Sequence, residues 1–134
     1  MSGARLTGRR IHGGRARGAA LVSSAALSFF GGVDPESGVV TEKDHPLEGR
    51  SVAGRVLVFP HGKGSTVGSY AIYRLARRGR GPAAIVNAEC ETIVAVGAII
   101  ADIPCVDHVD IGQLPDGALL EVDADRGIVE VVDR

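Results

Sequence analysis

The residues with the greatest chemical potential lie together in Pro60-His61-Gly62-Lys63-Gly64-Ser65-Thr66-Val67-Gly68-Ser69. This stretch separates an apolar run, Arg55-Val56-Leu57-Val58-Phe59, from a segment with helical spacing. Glycines let such a loop turn sharply and bring its backbone close to a ligand. The N–H groups of Ser65, Thr66 and Val67 fall near the first helical turn, where unpaired donors and the helix dipole favour an anion. The loop is an anion site by construction, with hydroxyls and Lys63 at hand. From the residues alone several readings stay open. In one, Ser65 or Thr66 only N-caps the helix while the glycines make the turn. In another, Gly62, Gly64 and Gly68 spell GxGxxxG, and Glu89 follows the next strand at the distance of a ribose ligand. The turn-linked strands expected downstream argue against that dinucleotide reading. A phosphate-binding GxxxxGK[ST] loop is not spelled.

The other reactive types are sparse. Cys90 and Cys105 form neither a CxxC pair nor a disulfide framework, which fits a reducing cytoplasm. An iron–sulfur cluster takes three or four thiolates, so this chain is expected to bind no cluster, and no metal site is expected. Both cysteines read as buried small hydrophobes. Cys105, Asp107 and His108 have no specific metal spacing. His12, His45 and His61 read as loop residues, with His61 near enough to the glycine loop to touch a substrate.

The elements that position the loop follow from periodicity. The apolar run ending at Phe59 is a buried strand stopped by Pro60. Val67, Ala71, Ile72, Leu75 and Ala76 make one helical stripe, opposite Arg74, Arg77 and Arg78. Cations and then Gly79 suit a helix C-terminus. Ala83–Asn87 is another short buried strand, and Ile93–Ile100 is either a strand or a short helix followed by one. Val106, Ala118–Val122 and Ile128–Val132 add strands, with turns at Leu114–Gly117 and Asp125–Gly127. Before the loop, Ile11 to Arg50 is Gly-rich, and irregular short strands are expected there.

Composition bounds the rest. A chain of 134 residues, 45% hydrophobic, reads as one domain over 1–134 with a single core. With 4% aromatics, no Trp and 19 Gly, that core is built from aliphatic and small residues. The net charge of −1 excludes the basic balance of a nucleic-acid module, and no apolar run reaches the length of a membrane span. Charge is uneven: Arg5, Arg9, Arg10, Arg15 and Arg17 precede the first acid, Asp34, while the tail from Asp116 is mostly acidic. The Arg-rich start resembles a transit peptide in part, but it runs straight into an ordered-looking apolar segment. Solvated ends are the expectation.

Several separated motifs carry a family resemblance. Gly14-Arg15-Ala16-Arg17-Gly18-Ala19-Ala20-Leu21-Val22-Ser23 is followed by Leu27-Ser28-Phe29-Phe30-Gly31-Gly32-Val33-Asp34-Pro35. His45-Pro46 with Gly49-Arg50-Ser51, then Gly62-Lys63-Gly64-Ser65 with Gly68-Ser69, complete the order. Over about Gly13 to Asp107 the chain resembles the aconitase X small subunit, a swivel-domain family. The resemblance implies an α/β fold: a swivelling β/β/α domain, mainly β with one or two helices. It implies a larger partner subunit holding a [4Fe-4S] cluster, whose iron acts as Lewis acid on the substrate hydroxyl. It implies a two-chain hydro-lyase acting on a small phosphorylated hydroxy acid of the archaeal mevalonate pathway; a 3-hydroxyproline-type dehydratase and a non-catalytic anion module stay open. By motif, Ser65 is the catalytic base, with Gly62, Lys63, Gly64 and Thr66 around the substrate. Aconitase proper has an arginine two residues after that serine where this chain has Val67, so the substrate anion must be held otherwise. Lys63 is either a solvated loop lysine or a cation facing the site. Phe29 and Phe30 either anchor the core or form a contact surface.

Overall fold

A computed structural model describes residues 4–133; the extreme ends of the expected domain lie outside the described residues. Eight strands run in the order β1 (Arg5–Thr7), β2 (Arg9–His12), β3 (Arg15–Val22), β4 (Val56–Phe59), β5 (Ala84–Asn87), β6 (Cys105–Asp107), β7 (Leu119–Asp123) and β8 (Ile128–Asp133). Two helices, α1 (Gly68–Arg77) and α2 (Thr92–Ala101), follow β4 and β5. The spatial order is β1-β8-β7-β3-β4-β5-β6-β2.

β3 joins two sheets. Its first part, Arg15–Ala19, pairs antiparallel with β7, while Ala20–Val22 pairs parallel with β4. β4, β5 and β6 continue the parallel sheet, and β8 and β1 continue the antiparallel one. The strand period of two sends alternate side chains to opposite faces. Val56, Val58, Ala84 and Val86 meet Leu120, Val122 and Val129 between the sheets. Leu57, Phe59 and Ile85 meet Ile72, Leu75, Val94 and Ala98 under the helices. There are therefore two apolar clusters on the two faces of the parallel sheet, where the sequence suggested one core. The layers are β/β/α, as expected.

The helix stripe is rotated from its expected position. Ile72 and Leu75 are buried as expected, but Gly68 and Ser69 complete the buried face and Val67 is 45% exposed. The cause is α2. Glycines let the helices close in: a Cβ on Gly68 would lie 2.9 Å from Ile93 Cγ2, and one on Gly97 2.5 Å from Ile72 Cδ1. The segment open to two readings, Ile93–Ile100, is helix followed by the short strand β6. A β–α–β–α–β unit is thus present, its second helix being the segment open to two readings, and this removes the topological objection to a dinucleotide site.

The start of the chain differs from the expected irregular strands. β1 and β2 close the two outer edges, against β8 and β6. The early arginines are more than half exposed, as solvated ends would be, yet they are paired: Arg15 and Arg17 with Asp123 and Glu121 across β3 and β7, and Arg10 at 3.7 Å from Asp125. Arg9 binds Asp107 through two hydrogen bonds of 3.0 and 2.9 Å. Pairing between segments about a hundred residues apart explains the opposite charges of the ends. Ala25–Phe30 is a loop, with an isolated Leu27–Gly62 bridge and Leu27 and Phe29 packed into the cluster under the helices. His12 lies on β2, and His45 is buried, its Nε2 donating to Ala26 O and its Nδ1 accepting from Leu47 N. Neither is the plain loop residue expected.

Candidate active site

The Ser65 loop leaves β4 at the carboxyl end of the parallel sheet, the usual ligand side of such sheets. Three contacts hold it. Leu27 N donates to His61 O at 3.2 Å, and Lys63 N donates to Leu27 O at 3.1 Å. Gly62 is buried with no room for a side chain, since a Cβ there would overlap the Glu91 carboxylate. Gly64 has φ +91°, a conformation glycine adopts freely, and its missing Cβ leaves space beside Ser28 Oγ. The glycines therefore serve close approach and turn geometry, as expected.

Ser65 and Thr66 are exposed at the tip. Ser65 Oγ accepts from Val67 N at 3.2 Å, so the hydroxyl does cap a donor, although the N-cap position itself is Val67. Ser65 O accepts from Gly68 N at 2.9 Å and tightens the entry to α1. The N–H groups of Gly64, Ser65 and Thr66 meet no protein acceptor among the described residues. No acidic residue occupies the first turn of α1, so the dipole acts on the loop undiminished. Ser69 is buried and spent on structure, with Oγ donating to Ile93 O at 2.7 Å.

Lys63 resolves to a third arrangement. Its Nζ donates to Glu42 Oε2 at 2.7 Å, with the lysine 46% exposed. Glu42 Oε1 is buried without a partner. No local signal marks Glu42, because the pair forms across a long loop. Glu91 was also missed: its carboxylate accepts from Ile93 N and Val94 N, capping α2 while supporting Gly62. Its place just before an apolar run is a usable cap signal. Asn87, fully buried at the end of β5, donates to Phe59 O at 3.0 Å and leaves Oδ1 unpaired. His61 Nδ1 faces its neighbour Gly62 O at 2.7 Å.

Phe29 and Phe30 divide the two roles proposed for them. Phe29 is buried, edge-on to Phe59 with centroids 5.9 Å apart. Phe30 is exposed and, with Val67 and Tyr70, lines a groove of about 380 Å³ beside the Ser65 loop.

Glu89, Asp107 and His108 converge, with one ligand atom from each within 4.8 Å of the others. His108 Nε2 lies 2.7 Å from Glu89. Asp107, fully buried, accepts from Arg9 and from Cys90 N at 2.9 Å. Burial pushes the Asp107 carboxyl up, yet the Arg9 and Cys90 hydrogen bonds and the charges of Arg9 and His108 outweigh it, leaving the group below its ordinary value. A carboxyl depressed in the folded state adds stability above its unfolded value, near 3.9, and loses it as pH falls through the folded value. Asp107→Asn is expected to melt below wild type at neutral pH and to lose less on acidification below about pH 4. Thermal melts at neutral pH and near pH 3 check both.

The family model described as aconitase X swivel domain matches residues 5–131, almost the whole described chain. The chain belongs to the aconitase X swivel-domain family. Its relatives include a protein from Thermococcus kodakarensis named phosphomevalonate dehydratase small subunit, 55% identical over 129 residues, which span 96% of this chain and 97% of that one. The holo-form crystal structure of Thermococcus kodakaraensis aconitase X superposes with a TM-score of 0.96 at 55% identity, covering 98% of this chain and all of that one. The solution structure of a UPF0107 protein gives 0.89 at 47% identity over 97% of this chain and 100% of that one. Cys90 and Cys105, the latter buried, are the two thiols of the chain, fewer than the three or four thiolates an iron–sulfur cluster takes.

Proposed function

We propose that this chain is the small subunit of a two-chain hydro-lyase that removes water from (R)-5-phosphomevalonate, giving trans-anhydromevalonate 5-phosphate in the archaeal mevalonate pathway. The observation that carries this reading is the end-to-end likeness, at 55% identity, to relatives named phosphomevalonate dehydratase small subunit. Ser65 is the proton acceptor. With Ser65 as its alkoxide, the proton beside the substrate carboxylate passes to Oγ and restores the hydroxyl, hydroxide leaves the neighbouring carbon toward the Lewis-acid iron of the large subunit, and a double bond forms. A serine hydroxyl is a weak base, so its oxyanion needs donors already aimed at it. The Val67 N–H at 3.2 Å and the start of α1 supply them.

Gly62 and Gly64 bring the backbone close, and the free N–H groups of Gly64, Ser65 and Thr66 hold the substrate anion in place of the missing arginine at Val67. Lys63 adds a cation steered by Glu42. A larger cytoplasmic subunit carries the [4Fe-4S] cluster and covers the exposed Phe30, Val67 and Tyr70. No helix among the described residues is long and apolar enough to cross a membrane.

Reconstitution tests the reading. The chain alone is expected to be inactive, and dehydration of (R)-5-phosphomevalonate should appear on anaerobic mixing with the large subunit. Turnover by the isolated chain, or preference of the assembled enzyme for 3-hydroxyproline, would overturn it.

A further inference from the structure

The two thiols of the chain meet outside the site assigned to Ser65. Cys90 lies after β5 and Cys105 opens β6, with Sγ atoms 3.9 Å apart. Their proximity is built in. β5 and β6 are paired through Ile85–Cys105 and Val86–Val106, and Cys90 N donates to Asp107 Oδ2 at 2.9 Å. The backbones carrying both cysteines are therefore pinned side by side. A disulfide needs sulfurs about 2.05 Å apart, and the two sulfurs already meet at 3.9 Å.

We propose that Cys90 and Cys105 form a reversible disulfide, with Cys90 reacting first with a low-molecular-weight disulfide. Access sets the order, since Cys105 is fully buried whereas Cys90 is partly exposed. The hydrogen bond with Cys90, then burial, keep Cys105 protonated, which also makes it the later nucleophile. The Cys90 thiolate attacks one sulfur of the external disulfide and expels a thiolate. Cys105 then gives its proton to solvent, attacks Cys90 Sγ and expels the second thiolate. Two electrons and two protons leave the protein, and the reagent departs as two thiols. Glu89 and Glu91 flank Cys90, so a cationic reagent is the appropriate probe. The inference stands independently of the reaction assigned to Ser65.

The test treats the assembled two-chain enzyme, under native conditions, with cystamine, then alkylates in acid and maps the small subunit by mass spectrometry. The expected product has lost two hydrogen atoms, contains a linked Cys90–Cys105 peptide and returns to the dithiol on adding dithiothreitol. Cys105→Ser should stop at a stable mixed disulfide on Cys90, and Cys90→Ser should leave Cys105 unmodified. A wild-type subunit that keeps two free thiols, or accumulates the Cys90 mixed disulfide without closing, overturns the proposal. So does Cys90→Ser if its Cys105 reacts as fast as the wild-type pair.

Discussion

Ser65→Ala in the reconstituted enzyme is expected to lower turnover by a thousandfold or more, about 4 kcal/mol of barrier, while folding and assembly persist. Ser65 is exposed and its one recorded side-chain bond is to Val67 N at 3.2 Å, so its structural contribution is small. Losing that bond costs about 0.5–1 kcal/mol. A base must reach one carbon-bound proton, so a neighbouring hydroxyl is not expected to take its place. Thr66→Ala and Ser69→Ala separate the roles. Thr66→Ala keeps the backbone N–H and should retain much more activity than Ser65→Ala. Ser69→Ala removes the buried bond to Ile93 O and should lower the melting temperature far more than the rate. Turnover within about tenfold of wild type for Ser65→Ala, roughly 1.4 kcal/mol, would take the catalytic role from Ser65.

The next largest effect is expected from Gly62→Ala. The added Cβ would overlap the Glu91 carboxylate and lie 2.6 Å from Val94 Cγ2, so either the α2 cap breaks or the loop shifts. Overpacking of this kind costs about 1–3 kcal/mol, and displacing a catalytic group by an ångström costs about a hundredfold in rate. Gly49→Ala is the control: Gly49 has φ +84° but open space around it, so only backbone strain is felt and turnover should be unchanged. Steady-state rates and melting curves of the three assembled enzymes check the pair. A Gly62→Ala enzyme with wild-type turnover would show that the loop tolerates displacement.

Local pattern was enough for much of this protein. Val56–Phe59 alternates between two buried faces and ends at a proline, Arg77 to Gly79 closes a helix, and Pro60 to Ser69 spells a glycine loop with its serine. These features are legible because their causes lie within a few residues: strand period, helix capping and turn chemistry. What tertiary structure alone decided depends on partners far along the chain. Arg9 reads as a solvated charge until Asp107 lies beside it, and Lys63 reads as a free cation until Glu42 reaches it. Thr92–Ala101 has no clear period because it packs on α1 and leaves Ile99 and Ile100 exposed, so helix and strand were indistinguishable from its composition. The meeting of Cys90 with Cys105 follows from the parallel pairing of β5 with β6, an arrangement that sequence spacing does not encode because a crossover helix intervenes.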